Sequence, residues 1–130
     1  MSTRQERATS RPVVLAVENL HKSFGTVEVL QGISLSAQRG DVIAIIGSSG
    51  SGKSTFLRCL NQLEIPSQGR IELEGHTIFD TDRRPAGLIA GGRLAQARAR
   101  ARMPMVFQSF NLWSHMTVLE NVMAAPRHVL

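Results

Sequence analysis

Tyrosine is absent from these 130 residues, and cysteine and tryptophan occur once each. A lone Cys59 excludes an intramolecular disulfide and fits a reducing compartment. Flanked by Phe56 and Leu60, it reads as a small core residue rather than a reactive thiol. Apolar runs reach only five residues, as in Val42 to Ile46, far short of the roughly 18 that would suggest a membrane span. Any membrane role read from this sequence is therefore peripheral. Residues 1–12 lack the apolar core of a secretory signal and read as a disordered arm.

Positive charge is in excess, at a formal +5. The arginines gather in the N-terminal arm (Arg4, Arg7, Arg11) and between Arg83 and Arg102. Neither cluster is interleaved with aromatics, so each reads as a solvated face and not as a nucleic-acid surface. His21 and His76 suggest surface or turn positions, and no His/Cys grouping supports a zinc site.

Apolar residues make up 42% of the chain, a globular balance. Strands are predicted at Val13 to Val17, Val27 to Leu30 and Ile33 to Ala37, with turns at Phe24-Gly25 and at Arg39-Gly40-Asp41. The continuously apolar Val42 to Ile46 predicts a strand buried on both faces. Phe56, Leu57, Leu60 and Leu63 recur at helical spacing, in a helix predicted to stop before Pro66. Arg70 to Leu73 and His76 to Phe79 read as a hairpin, Asp80 to Gly92 as loop, Leu94 to Arg102 as a helix and Met105 to Phe107 as a short strand. Thr117 and Glu120 match a capping box, opening a helix that Pro126 is expected to interrupt.

Between the Val42 to Ile46 run and the helix lies Gly47-Ser48-Ser49-Gly50-Ser51-Gly52-Lys53-Ser54, which meets the phosphate-loop pattern G-x-x-x-x-G-K-[ST]. The chemistry explains the residue types. Amides from Gly50 to Thr55 can turn into one concavity and donate to phosphate oxygens, and the glycines let backbone approach the anion. The positive end of the following helix faces the same charge. Lys53 is placed for the β- and γ-phosphates, Ser54 for magnesium and Thr55 for the α-phosphate. A flexible Gly/Ser turn would explain the glycines but not Lys53-Ser54 at this offset. The expected ligand is ATP with Mg2+; no Asn-Lys-x-Asp stretch supports guanine reading.

The flanks narrow the class. Leu20-His21-Lys22-Ser23-Phe24-Gly25, Val29 to Leu35, Gly40-Asp41-Val42, Ser54 to Asn61 and Met105-Val106-Phe107-Gln108 resemble the ATPase subunits of ATP-binding-cassette (ABC) transporters. The stretch Val106 to Thr117 is most similar to bacterial importers of polar amino acids, the groups for histidine, lysine/arginine/ornithine and opines. The resemblance implies an α/β fold, an incomplete phosphate-loop NTPase core with an N-terminal antiparallel β subdomain, over residues 13–130. It also implies that Phe24 stacks on adenine and that Gln108 is the glutamine reaching magnesium and the attacking water. Trp113 and His115 fall where the family meets its membrane partner. The implied partners are permease subunits, a second ATPase subunit and, indirectly, a periplasmic solute-binding protein, at the cytoplasmic face of the bacterial inner membrane. The family's signature loop, acidic strand and switch histidine are not in this sequence. The expectation is a truncated ATP-binding chain of marginal stability that lacks the hydrolytic residues. The alternatives are a non-hydrolysing nucleotide- or permease-binding fragment and a soluble cassette protein of translation or DNA repair.

Overall fold

The computed structural model describes residues 11–82 and 92–129. The arm at 1–10 and most of the loop predicted from Asp80 to Gly92 lie outside them. Arg11 and Pro12, assigned to the arm by sequence, are tied down instead. Arg11 ion-pairs with Asp41 at 2.7 Å, and the Pro12 carbonyl accepts from the Arg39 amide at 3.0 Å.

Four strands form one antiparallel sheet: β1 (Val13–Phe24), β2 (Val27–Gln38), β3 (Gln68–Leu73) and β4 (His76–Asp80), in the order β2-β1-β3-β4. The two strands predicted between Val27 and Ala37 are one continuous element. Its register against β1 runs from Phe24 opposite Val27 to Val13 opposite Gln38, with shifts that absorb the interruption at Gln31-Gly32. The predicted hairpin holds, with Ile71 opposite Phe79. Three helices complete the elements: α1 (Lys53–Leu60), α2 (Gly92–Arg102) and α3 (Val118–Val129).

The core sits between the sheet and the first two helices. Val17, Leu20, Leu30, Ile71, Ile78 and Phe79 from the strands meet Phe56, Cys59 and Leu60 of α1 and Ala99 of α2. Burial pushes the Cys59 thiol up to about 11, so it stays protonated at neutral pH and behaves as an apolar side chain. α1 ends earlier than its periodicity predicts. Gln62 takes a left-handed φ of 61°, and the Glu64 amide returns to the Arg58 carbonyl at 3.0 Å. Leu63 is thereby turned out of the helical stripe and left exposed. On α2, Arg98, Arg100 and Arg102 face solvent as expected, yet Arg100 donates to the Gln62 carbonyl at 2.9 Å and Arg102 pairs with Glu74.

Two predicted strands do not form. Val42 to Ile46 has no strand assignment, and Val42 and Ile46 are 97% and 93% exposed. Met105 to Phe107 is likewise unpaired, with Val106 at 96%. The cause is the same in both. A central strand needs neighbouring backbone to accept and donate its ladder bonds, and none of the described residues supplies it.

Pro126 does not end the last helix, which runs on to Val129. Its ring φ suits a helix, and its costs, the missing amide bond and the crowding of the Val122 carbonyl, fall on a solvated element that can yield to them. The capping box forms as predicted. The Glu120 carboxylate accepts from the Thr117 amide at 2.7 Å and hydroxyl at 2.8 Å, while the Glu120 amide donates back to Thr117 Oγ1 at 3.3 Å. The bonds from the Thr117 backbone and then its side chain hold the Glu120 carboxyl below the usual carboxylate range. Its contribution is therefore complete above the unfolded value and is lost as pH falls through the lowered folded one. Acidification should fray the start of α3, seen as lost helical circular dichroism. Glu120→Gln should remove that acid-dependent step; an unchanged step would show that another group controls it.

Candidate functional site

The Gly47 to Ser54 loop leaves the exposed Val42 to Ile46 segment and opens directly into α1. Gly52 caps the helix in a left-handed conformation, φ 91°, without any side-chain cap bond. A Cβ there would lie 3.1 Å from both the Val29 carbonyl oxygen and Val29 Cγ1, so only glycine lets the loop sit this close to β2. Gly47 needs space for a different reason. Its φ is not positive, but an added Cβ would meet Ser51 Oγ at 2.7 Å.

The loop closes around Lys53. Its ammonium donates to the Gly47 carbonyl at 2.7 Å, the Ser48 carbonyl at 2.6 Å and Ser51 Oγ at 3.2 Å. Three acceptors converge on one cation, which fixes the loop's curvature while holding the charge at its mouth. Ser49 and Gly50 form the exposed tip. Ser54 and Thr55 lie in the first turn of α1, whose leading amides have no intrahelical acceptors. With no acidic residue in that turn, nothing on the helix competes with an incoming anion. The arrangement offers free amides, a cation and a hydroxyl at one helix end: the chemistry of polyphosphate binding.

Behind the loop, a cavity of about 430 Å³ lies between β2 and the 42–46 segment. Leu30, Ile33, Leu35, Ile43, Ile45 and Phe56 make its wall apolar.

Phe24 and Gln108 are not brought into this cavity. Phe24 ends β1, about half exposed, with the Lys22 ammonium 4.7 Å from its ring centroid. Gln108 is exposed in the irregular segment that leads to α3. Trp113 and His115 touch edge-to-face at 5.9 Å. Asn121 fixes their turn, accepting from the Trp113 amide at 2.8 Å and donating to the carbonyls of Trp113, Met116 and Thr117. Sequence reasoning passed over Lys22 and Asn121. Lys22 was legible in principle, since residues two apart on a strand share a face. Asn121 was not, because its bonds depend on how the turn folds back. Among the described residues no group of acidic, histidine or cysteine side chains could by itself hold a metal ion, and no helix is long and apolar enough to cross a membrane.

Comparison with known proteins agrees with the geometry. Residues 30–129 match the ABC transporter family. The chain is 58% identical over 118 residues to the nopaline permease ATP-binding protein P of Agrobacterium fabrum, covering 89% of this chain and 45% of that protein. It is 58% identical over 116 residues to the histidine/lysine/arginine/ornithine transport ATP-binding protein of Escherichia coli, with 89% and 45% covered. Among solved structures it resembles cbiO1 from Clostridium perfringens, part of the ABC transporter complex cbiONQ. That likeness has a TM-score of 0.70 at 28% identity, covering 91% of this chain and 43% of that one. The chain thus spans less than half the length of these relatives. With its antiparallel sheet and partial phosphate-loop NTPase core, it belongs to the ABC transporter family.

Proposed function

We propose that this chain binds Mg-ATP as the nucleotide-gripping part of an ATP-binding subunit of a polar or basic amino-acid importer. The observation that carries the reading is the convergence of the Gly47 and Ser48 carbonyls and Ser51 Oγ on Lys53 at the open start of α1. Gly47, Ser48, Ser49, Gly50, Ser51 and Gly52 shape the cradle, Lys53 compensates the β- and γ-phosphates, and Thr55 meets the α-phosphate. Ser54, and Gln108 once brought to the loop, are the oxygen donors toward Mg2+, which would neutralise phosphate charge. Phe24 stacks on the adenine.

Hydrolysis asks for more. In-line attack on a γ-phosphate requires a group that orients water and charge compensation on its far side. The first turn of α1, beside the loop, carries no acidic residue to orient that water. The proposed chain is read as holding nucleotide without steady turnover. Its permease partner fits the exposed surface from Phe110 (91%) through Leu112 and Trp113 to Val118 (79%) and Leu119. In this reading the chain sits peripherally on the cytoplasmic face of the inner membrane, beside a second ATPase subunit and only indirectly linked to a solute-binding protein. The polar amino-acid class follows from the relatives' substrates.

Titration with a fluorescent ATP analogue, run beside a phosphate-release assay, tests both halves. Saturable binding displaced by ATP, without release, is the expected result. Absence of binding overturns the nucleotide assignment; sustained magnesium-dependent release overturns the limit to binding.

A further inference from the structure

Lys22 is the feature the nucleotide reading leaves unused, and its setting is unusually constrained for a lysine near a surface. Its side chain is only 12% exposed. The ammonium donates to the Ile65 carbonyl at 2.8 Å and pairs with Glu64 at 3.2 Å. Both acceptors belong to the turn that ends α1, and that turn is itself fastened to β1. The Ser67 amide donates to the His21 carbonyl at 2.8 Å, and the Ser23 amide donates to Ser67 Oγ at 3.0 Å. Two of the three ammonium donors are thus committed, and the group is held 4.7 Å from the Phe24 centroid.

We propose that Lys22 is a positioning residue for nucleotide binding: its clamped ammonium covers one face of Phe24, orients the ring and leaves the other face for a purine base. This rests on Phe24 being the base-stacking residue. A phenyl ring at a strand end beside a glycine turn is otherwise free to reorient, and each freed torsion opposes stacking. The cation removes that freedom. It also draws π-density toward itself, which makes the opposite face a better partner for an electron-rich purine. The clamp lies in the segment that follows α1, tied back to the helix by the Glu64 amide on the Arg58 carbonyl, so the phosphate loop leads into α1 and the base-site clamp follows it.

Calorimetric titration with Mg-ATP and, separately, with magnesium tripolyphosphate tests this, because the second ligand has no base. Lys22→Met and Lys22→Gln should each weaken ATP binding about fivefold, the scale of a half-desolvated cation–π contact. Neither should move tripolyphosphate affinity by more than about twofold on the same scale. Lys22→Arg should retain ATP affinity. In a Phe24→Leu background, Lys22→Met should add nothing. Retained affinity in Lys22→Gln would reduce Lys22 to a tether for Ile65 and overturn the proposal. Equal loss of both ligands, or an undiminished effect in the Phe24→Leu background, would overturn it too. If Phe24→Leu alone leaves ATP affinity intact, the stacking role of Phe24 falls instead, and Lys22's role with it.

Discussion

Replacing Lys53 with alanine should lower Mg-ATP affinity by about 10- to 100-fold, the range expected for losing charge-assisted hydrogen bonds of about 1.5–3 kcal/mol. The size of the loss is a difference between two states. In the free loop the ammonium is already satisfied by Gly47 O, Ser48 O and Ser51 Oγ. Binding trades those bonds for phosphate oxygens, so what the free state supplied is subtracted from the gain. The expected loss in Lys53→Ala is what remains after that subtraction.

Lys53→Arg separates charge from shape. Its planar fork keeps the charge but is built for bidentate partners, whereas the loop presents three acceptors around one point at 2.6–3.2 Å. A loss in the arginine variant comparable with that of alanine is expected. Full ATP affinity in Lys53→Ala, measured with a fluorescent analogue and by calorimetry, would remove the loop as the nucleotide site.

Local signals were legible in the sequence wherever their partners are also local. The Glu74-Gly75 hairpin turn and the Thr117–Glu120 box each close within a few residues and formed as the pattern predicts, and α1 opens at Lys53, directly after the glycine-rich run. The Val42 to Ile46 run carries an equally clear signal, but its fulfilment depends on strands that the described residues do not include. Apolar β-branched composition reports what a segment is suited to and says nothing of whether partners are present. The same distinction holds at the site. Lys53 was placed by spacing alone, whereas Phe24 and Gln108, at the end of β1 and in the segment before α3, carry no local pattern of their own and came from resemblance. Pro126 misled in the opposite direction, because the lost bond and the crowding it brings fall on an exposed helix whose capped first turns are already in place.

The second large effect lies away from the nucleotide, at Gly69. Gly69→Ala should destabilise the fold by about 3 kcal/mol or more, a cost set by strained backbone and overpacking. Gly69 has φ 112°, and a Cβ would meet Asn19 O at 2.5 Å, Glu18 O at 2.7 Å and Leu20 Cα at 2.8 Å. All three are backbone atoms of β1, at the irregularity between Glu18 and His21 where the β1–β3 register shifts. No rotamer change can relieve them. Retreat is blocked from the other side, where the Gly69 amide donates to Thr81 Oγ1 at 2.7 Å and the Gly69 carbonyl accepts from the Thr81 hydroxyl and amide. β1 and β3 must therefore separate, exposing Leu20 and Ile71, both fully buried in the core. A fall in Tm of about 10 °C or more follows for a chain of this size. Thr81→Val gives the control. By cutting the side-chain tie it lets β3 shift, so the double variant should lose less than the sum of the singles in denaturant unfolding. Strict additivity would place the strain elsewhere, and an unaltered Tm in Gly69→Ala would show that the two strands are not held as closely as these distances require.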